Sequence, residues 1–135
     1  MCSAPLLRPL ADIPGIAPPG GHYSHAVAAN GMLHIAGQLP ITASGEKLVD
    51  APFEDQVRQT LANVTAILHA ADAGVADLVH VRVYIDDIGN WGRFNAFYDA
   101  WAGPSKPARA VVPVGPLHYG FKVEVEAVAM LPARA

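Results

Sequence analysis

Two charged side chains in the last third of the chain have the chemistry to act on a small carboxylic acid. Arg109 begins a predicted strand directly after a loop that contains Pro107. A guanidinium group can hold a carboxylate through two parallel hydrogen bonds and stays charged at any working pH. Arg109 is therefore a candidate substrate anchor, although spacing alone favours the commoner explanation, an exposed and solvated arginine at the end of a strand.

Glu124 is the second candidate, on the charged face of the last predicted strand. It lies two residues from Lys122 and two from Glu126. If another surface covers this face, burial raises the pKa of the Glu124 carboxyl and Lys122 lowers it. Such a carboxylate could orient or deprotonate a water molecule. On a solvated face, a structural pair with Lys122 is the commoner outcome.

Two polar side chains could complete a pocket around these charges. Tyr23 begins the first predicted strand, where its ring could form a pocket wall and its hydroxyl could hydrogen-bond a ligand. Asn95 lies on the second predicted helix, outside the aromatic face of that helix. Each has an ordinary alternative: an aromatic residue that stabilises a strand, and an amide that faces solvent.

No set of residues predicts a metal, a cofactor or a covalent nucleophile. His22 and His25 point to opposite faces of an extended segment, and His34 and His80 are isolated on their strands. Metal ligands normally converge in recognisable sets. Cys2 is the sole cysteine, so neither an intramolecular disulfide nor a thiolate metal site can form, and a reducing compartment fits best.

The first half of the chain predicts a hairpin and then a helix. Asn30-Gly31 tolerates the positive φ angles of a two-residue type I′ turn and separates predicted strands over 23–29 and 32–37. After a polar loop, apolar residues recur at steps of three or four, which predicts a helix from Pro52 to about Ala71 that Gly74 stops. The apolar face of this helix consists of Phe53, Val57, Leu61, Val64 and Leu68.

The second half of the chain predicts a strand over 79–85 and then a helix, which Asn90 caps and Gly103-Pro104 ends. Two further strands are predicted over Ala108–Pro113 and 121–131. The aromatic face of the helix consists of Trp91, Phe94, Tyr98 and Trp101. In the last strand, one alternating set can lie beneath the helices: Phe121, Val123, Val125, Ala127 and Ala129. The fold class is therefore α+β, in the order β-β-(β)-α-β-α-β-β, with two helices on one face of a mixed sheet.

Composition restricts the class of protein. The 135 residues suit one domain, and residues 1–20 hold five of the twelve prolines, which predicts an extended N-terminal arm. A net charge of −3 without a cluster of Lys and Arg argues against nucleic acid binding. No signal peptide or membrane-length apolar run is visible, so we expect a cytoplasmic protein. The low charged fraction, 16%, favours contact between copies of the chain.

The chain resembles the RidA/YjgF family from about residue 20 to residue 131. Five segments carry the resemblance in the same order along the chain: 35–40 (Ile-Ala-Gly-Gln-Leu-Pro), 59–64, 94–98, 107–109 (Pro-Ala-Arg) and 122–129. The resemblance implies a chorismate-mutase-like α+β fold and a homotrimer whose sheets form a central barrel, with three pockets between subunits. It also implies hydrolysis of reactive 2-imino and enamine acids, such as 2-aminoacrylate and 2-iminobutanoate, without a cofactor or a metal.

The same resemblance implies a role for each of five residues. Arg109 matches the family's arginine that binds the substrate carboxylate, and Glu124 matches the glutamate associated with the attacking water. Tyr23 matches the pocket tyrosine, Asn95 matches the helix asparagine near the pocket, and Gly37 matches the backbone position beside the ligand.

The chain departs from the family pattern at two pocket positions, since Ala36 replaces the usual serine and Val111 replaces the usual cysteine. Both changes suit a larger or less polar ligand. His118 could add a polar group at the pocket rim or lie in a loop, and the loop is favoured. Two alternatives stay open: a deaminase of a larger aminated dienoic acid of the 2-aminomuconate type, or a non-catalytic trimer that binds a small carboxylate or protects unfolded chains. Ribonuclease activity, attached to some relatives, conflicts with the acidic charge.

Overall fold

A six-stranded mixed sheet carries two helices on one face, as the sequence predicts. The computed structural model describes residues 7–132. The strands are β1 Arg8–Leu10, β2 Ala26–Ala29, β3 Met32–Gln38, β4 Leu78–Ile85, β5 Ala108–Pro113 and β6 Val123–Met130, and the helices are α1 Phe53–Ala70 and α2 Trp91–Ala102. Short 3-10 turns lie at Val75–Asp77, Ile88–Asn90 and His118–Gly120. The strand order is β1-β2-β3-β6-β4-β5, and only the β4–β5 pair is parallel among these strands.

The predicted hairpin is present, and it is the β2–β3 pair. Asn30 and Gly31 both have positive φ angles, 50° and 77°, as a type I′ turn requires. Strand β2 begins at Ala26, however, so the prediction that Tyr23 begins the strand is wrong. The backbone N–H of Tyr23 bonds to the carbonyl of Gly21, and this tight turn keeps the segment out of the sheet.

The predicted N-terminal arm contains a strand within its described part. Arg8–Leu10 pair antiparallel with β2 and form one edge of the sheet. Pro9 lies within this edge strand, a position that proline tolerates because one side of an edge needs no N–H donor. Residues 1–6, and Cys2 with them, lie outside the described residues.

Helix α1 buries the face that its periodicity predicts, because all five predicted apolar residues are at most 3% exposed. Its predicted end at about Ala71 is confirmed, but Gly74 is not the residue that stops it. The helix ends at Ala70, and Asp72 takes the left-handed conformation with φ 59° while the N–H of Ala73 bonds back to the Leu68 carbonyl. Helices often end with this hydrogen-bonding pattern, and the residue in the left-handed conformation is then usually glycine. Gly74 instead precedes the next 3-10 turn in an extended conformation.

The predicted C-terminal end of helix α2 agrees with the structure better than its predicted N-terminal start does. Phe94 and Tyr98 are buried, and Gly103 ends the helix with φ 60°. Trp91, at the first turn of the same aromatic face, is 46% exposed, so the buried part of this face begins at Phe94. Asn90 occupies the cap position, but its side chain makes no capping hydrogen bond. The preceding 3-10 turn is capped by Asp87, which accepts a bond from the N–H of Gly89.

The two faces of the sheet differ sharply along β6. The alternating set that the sequence predicts beneath the helices is buried throughout. The other set, Glu124, Glu126, Val128 and Met130, points to the opposite surface of the sheet, which we call the open face because neither helix covers it. The candidate glutamate therefore lies on the side of the sheet away from α1 and α2.

Candidate active site

A cavity of about 520 Å³ lies between the segment that leads into β2, the end of β3 and the His118–Gly120 turn. Three of the residues that the family resemblance singles out line it: Tyr23, Gly37 and Glu124. Apolar side chains contribute much of the remaining wall, among them Ile16 and Ile41. The volume lies in the range of pockets that bind small organic ligands, roughly 300–1,000 Å³.

The carboxylate of Glu124 and the backbone of Gly37 form the tightest approach in this cavity. The pairing of β3 with β6 is irregular between Ile35 and Gln38, so a bulge places two β3 residues where regular pairing would place one. A methyl group added at Gly37 would collide with the Glu124 carboxylate. A side chain at position 37 would therefore require the Glu124 carboxylate to move, and Gly37 leaves the space that this carboxylate occupies.

The electrostatic setting of Glu124 favours proton transfer. Burial raises the pKa of its carboxyl, the nearby His118 partly offsets this rise, and the charge of Glu126 adds to it. The expectation that Lys122 provides the lowering influence is wrong, because His118 provides it. No described residue donates a hydrogen bond to the Glu124 carboxylate, whereas Glu126 accepts one from the Tyr84 hydroxyl. A carboxylate with a raised pKa accepts a proton from water more readily than an ordinary one.

Tyr23 lies at the cavity rim, where its side chain is 50% exposed. Its hydroxyl accepts a long hydrogen bond, 3.4 Å, from the N–H of Gly20. Its ring meets the edge of His25, with 6.4 Å between centroids. The ring is thus available to a ligand, while its hydroxyl is bonded to the neighbouring loop.

A buried polar pair that the sequence did not reveal holds this loop in place. His25 Nε2 lies 2.7 Å from the Ala17 carbonyl, and its Nδ1 lies 3.3 Å from the side-chain amide nitrogen of Gln38. A carbonyl oxygen only accepts, so Nε2 carries the proton and Nδ1 accepts from Gln38. The pair connects the cavity loop to the end of β3, and both side chains are at most 6% exposed.

Arg109 and Asn95 form a second group. Arg109 Nη1 donates a 3.0 Å hydrogen bond to Asn95 Oδ1, and the guanidinium lies 4.6 Å from the centre of the Tyr98 ring. Burial raises the pKa of the Tyr98 hydroxyl and the charge of Arg109 partly offsets this. The guanidinium therefore lies over an aromatic ring and is bonded to an amide, and Asn95 is not simply a solvent-facing residue.

The two groups lie on opposite faces of the sheet. Arg109 pairs in register with the fully buried Val81, so it points to the helix face. Glu124 pairs in register with Tyr84 and points to the open face. Neither Arg109 nor Asn95 lines the cavity that contains Glu124. A single chain therefore presents two halves of the expected site in separate places.

The positions that depart from the family pattern are also divided between the two groups. Ala36 lines the cavity, whereas Val111 lies on the helix side and packs against the core. The preference for His118 as a loop residue away from the pocket is wrong, because His118 lies in a 3-10 turn that lines the cavity. Its neighbour Tyr119 lines the cavity as well, although it was not among the predicted site residues.

Within residues 7–132, no group of three or more His, Cys, Asp or Glu side chains is arranged to hold a metal ion. Over the same residues, neither helix has the length and apolar character needed to cross a membrane.

The fold and this cavity define a small α+β protein whose mixed sheet borders a largely apolar cavity that contains the Glu124 carboxylate. A family model described as Endoribonuclease L-PSP matches residues 15–131, and this is the family also called YjgF/RidA. The chain belongs to this family.

Known relatives support the assignment. A RutC family protein of Pyrococcus horikoshii is 40% identical over 111 residues, which cover 82% of this chain and 88% of that protein. The 2-iminobutanoate/2-iminopropanoate deaminase of Mus musculus is 34% identical over 110 residues, 82% of either chain. The crystal structure of the YjgF gene product of E. coli has a TM-score of 0.83 and 32% identity, and the match covers 93% of this chain and 99% of that chain. The family therefore includes proteins named as imine deaminases.

Proposed function

We propose that this protein hydrolyses reactive 2-imino and enamine acids, of the 2-aminoacrylate and 2-iminobutanoate type, to 2-keto acids and ammonia. The reaction would need no cofactor or metal and would remove reactive metabolites in the cytoplasm. The observation that carries the proposal is the Glu124 carboxylate, which has a raised pKa and faces the side-chain-free Gly37 inside a cavity. The relationship to the mouse deaminase supports the same chemistry.

The proposal includes a homotrimer with pockets between subunits. Arg109 and Glu124 point to opposite faces of one sheet, so one chain does not bring them to one ligand. A neighbouring copy that packs against the open face would bring its own Arg109 to the cavity of the first. Exposed apolar side chains support such packing, because Val79 and Met130 are 42% and 57% exposed.

The reaction starts from a protonated imine whose carboxylate is held by Arg109 of the neighbouring copy. Fixing the substrate in this way removes an orientational part of the barrier. A water molecule bonds through its oxygen to C2 while one of its protons passes to Glu124, which leaves a carbinolamine. Glu124 returns the proton to nitrogen, the C2–N bond breaks, and the hydroxyl becomes the ketone. The hydroxyl proton goes to the departing ammonia, so the products are a 2-keto acid and ammonium.

The size of the cavity favours a second candidate within the same chemistry, a deaminase of a larger aminated dienoic acid. A volume of about 520 Å³ leaves space beyond a three- or four-carbon acid, and Ala36 adds no polar group to the wall. Degradation of RNA, which the family description names, receives no support from a net charge of −3.

The test is an assay of imine decay. An amino-acid oxidase generates the 2-imino acid in the presence of a carbonyl trap, and decay is compared for the wild type, Arg109→Ala and the surface control Arg58→Ala. We expect the wild type and Arg58→Ala to accelerate decay and Arg109→Ala to lose most of this effect. If the wild type accelerates the decay of no imine, short or long, the proposal is wrong. Binding of 2-keto acids without any acceleration would favour the non-catalytic binding protein.

A further inference from the structure

Tyr119 has an unusual backbone conformation beside the cavity. Its φ and ψ are 57° and 9°, in the left-handed region that side chains other than glycine and asparagine rarely adopt. The next residue, Gly120, also has a positive φ of 80°. This tight turn directs the tyrosine ring outward, where it is 62% exposed and lines the cavity. Backbone strain of this kind concentrates at ligand-binding sites.

The ring of Tyr119 is held in place from two sides. It meets the fully buried Phe121 edge-on, with 5.6 Å between centroids and an interplanar angle of 76°. The ammonium of Lys47 lies 4.9 Å from the centre of the ring. The backbone of Lys47 forms an isolated antiparallel bridge with Ile41, which also lines the cavity. The ring is therefore a pre-positioned wall, and a ligand that contacts it does not have to order it.

The surroundings of this wall are largely apolar. Ile16, Leu39 and Ile41 line the same cavity, and Tyr23 contributes a second aromatic ring to it. Aromatic and aliphatic surfaces of this kind favour an apolar group by removing its surface from water. The same cavity also contains polar side chains, Glu124, His118 and Asn63 among them, so the apolar wall forms one part of its lining.

We propose that Tyr119 determines substrate specificity by selecting 2-imino acids with a large apolar or aromatic side chain over those with a methyl or ethyl group. This inference rests on the proposed function and refines it: the short 2-aminoacrylate- and 2-iminobutanoate-type acids remain substrates, and a larger apolar side chain raises kcat/KM at the same site. The imine carbon reacts at Glu124 as described above, while the side chain of the substrate packs against the Tyr119 ring and the apolar wall. Tyr119 takes no part in bond making.

The test compares kcat/KM for imines that an amino-acid oxidase forms from phenylalanine and from alanine. The variant Tyr119→Asn removes the ring but keeps a residue that tolerates a positive φ, and Tyr119→Phe keeps the ring as a matched control. The wild type should prefer the phenylalanine-derived imine. The ratio of the two kcat/KM values should fall roughly threefold to tenfold in Tyr119→Asn, the range expected for losing one aromatic contact, and should be retained in Tyr119→Phe.

Two other outcomes distinguish a failure of the specificity inference from a failure of the proposed function. If the wild type hydrolyses both imines but Tyr119→Asn leaves the ratio unchanged, or if the wild type prefers the alanine-derived imine, the specificity inference is overturned and the proposed function stands. If the wild type accelerates neither reaction, the proposed function is overturned, and the specificity inference is overturned with it.

Discussion

The two halves of the candidate site are held by different physical means. The half around Glu124 depends on backbone shape: a bulge in β3, a residue without a side chain at Gly37, and burial that disfavours the charged carboxylate. The half around Arg109 depends on side chains, since Asn95 and the ring of Tyr98 fix the guanidinium. A partly buried carboxylate suits proton transfer, and a charged guanidinium held by its neighbours suits binding of a carboxylate.

This difference predicts that damage to the Glu124 half lowers kcat, whereas damage to the Arg109 half raises KM. The first and largest expected effect is that of Glu124→Gln, which preserves shape but removes the proton acceptor. We expect kcat to fall about 10²–10⁴-fold, the usual contribution of a general base, with little change in the binding of a 2-keto acid. Steady-state kinetics would show this, with Glu54→Gln outside the cavity as the control. A variant with the kcat of the wild type would remove Glu124 from the mechanism.

The second prediction concerns space rather than charge. Gly37→Ala introduces a methyl group that collides with the Glu124 carboxylate, so the carboxylate must move. We expect kcat to fall by about a hundredfold, as for a displacement of about 1 Å in a reacting group. Gly92→Ala is the matched control, because open space surrounds that position on α2. Equal kcat values for the two variants would show that the close approach of Gly37 to Glu124 is irrelevant to the reaction.

The third prediction concerns the hydrogen bond through which Asn95 holds the Arg109 guanidinium. Asn95→Ala removes the acceptor that holds Arg109, so the guanidinium is less well oriented for a carboxylate. The net value of one hydrogen bond is about 0.5–1.5 kcal/mol, which corresponds to a rise in KM of roughly twofold to tenfold at an unchanged kcat. Kinetics on the same imine would separate the two constants. A fall in kcat without a change in KM would contradict the division of roles between the two halves.

The smallest expected effect is a shift in pH dependence. Burial raises the pKa of Glu124, and the reaction needs its deprotonated form, so kcat/KM should fall on the acidic side at a higher pH than for an ordinary carboxylic acid. His118 opposes this rise, so His118→Asn should move the acidic limb to still higher pH. Rates corrected for uncatalysed decay would measure the shift. A limb that stays in place or moves to lower pH would show that His118 does not act on Glu124.

Elements with a regular burial pattern could be predicted from the sequence. The face of α1, the Asn30-Gly31 turn and the alternation in the last strand all follow from local periodicity or from turn chemistry, which the residues themselves carry. Strand β1 could not be predicted, because three residues that include Pro9 gain their stability only from pairing with β2. The end of α1 could be predicted, but the stop was assigned to Gly74, because the left-handed conformation that Asp72 adopts is commoner for glycine.

Less of the candidate site than of the fold could be predicted from the sequence. The candidate roles of Arg109 and Glu124 came from a family resemblance, and their opposite directions depend on the register of β5 and β6 with β4. Register is set by tertiary packing, and a shift of one residue would reverse the face. Tyr119 carries no sequence signal for its backbone conformation, so its place in the cavity is visible only in three dimensions.

The most direct test of a site shared between subunits is complementation between two variants, each of which is inactive at a substrate concentration far below KM. Arg109→Ala and Glu124→Gln chains are co-refolded in equal amounts, and imine hydrolysis is measured beside each variant alone. A trimer whose sites take Glu124 from one subunit and Arg109 from the next would recover about a quarter of the wild-type activity, since random mixing restores that share of sites. If both residues belong to a site within one chain, no mixed assembly contains a complete site, and activity would stay at the level of the separate variants.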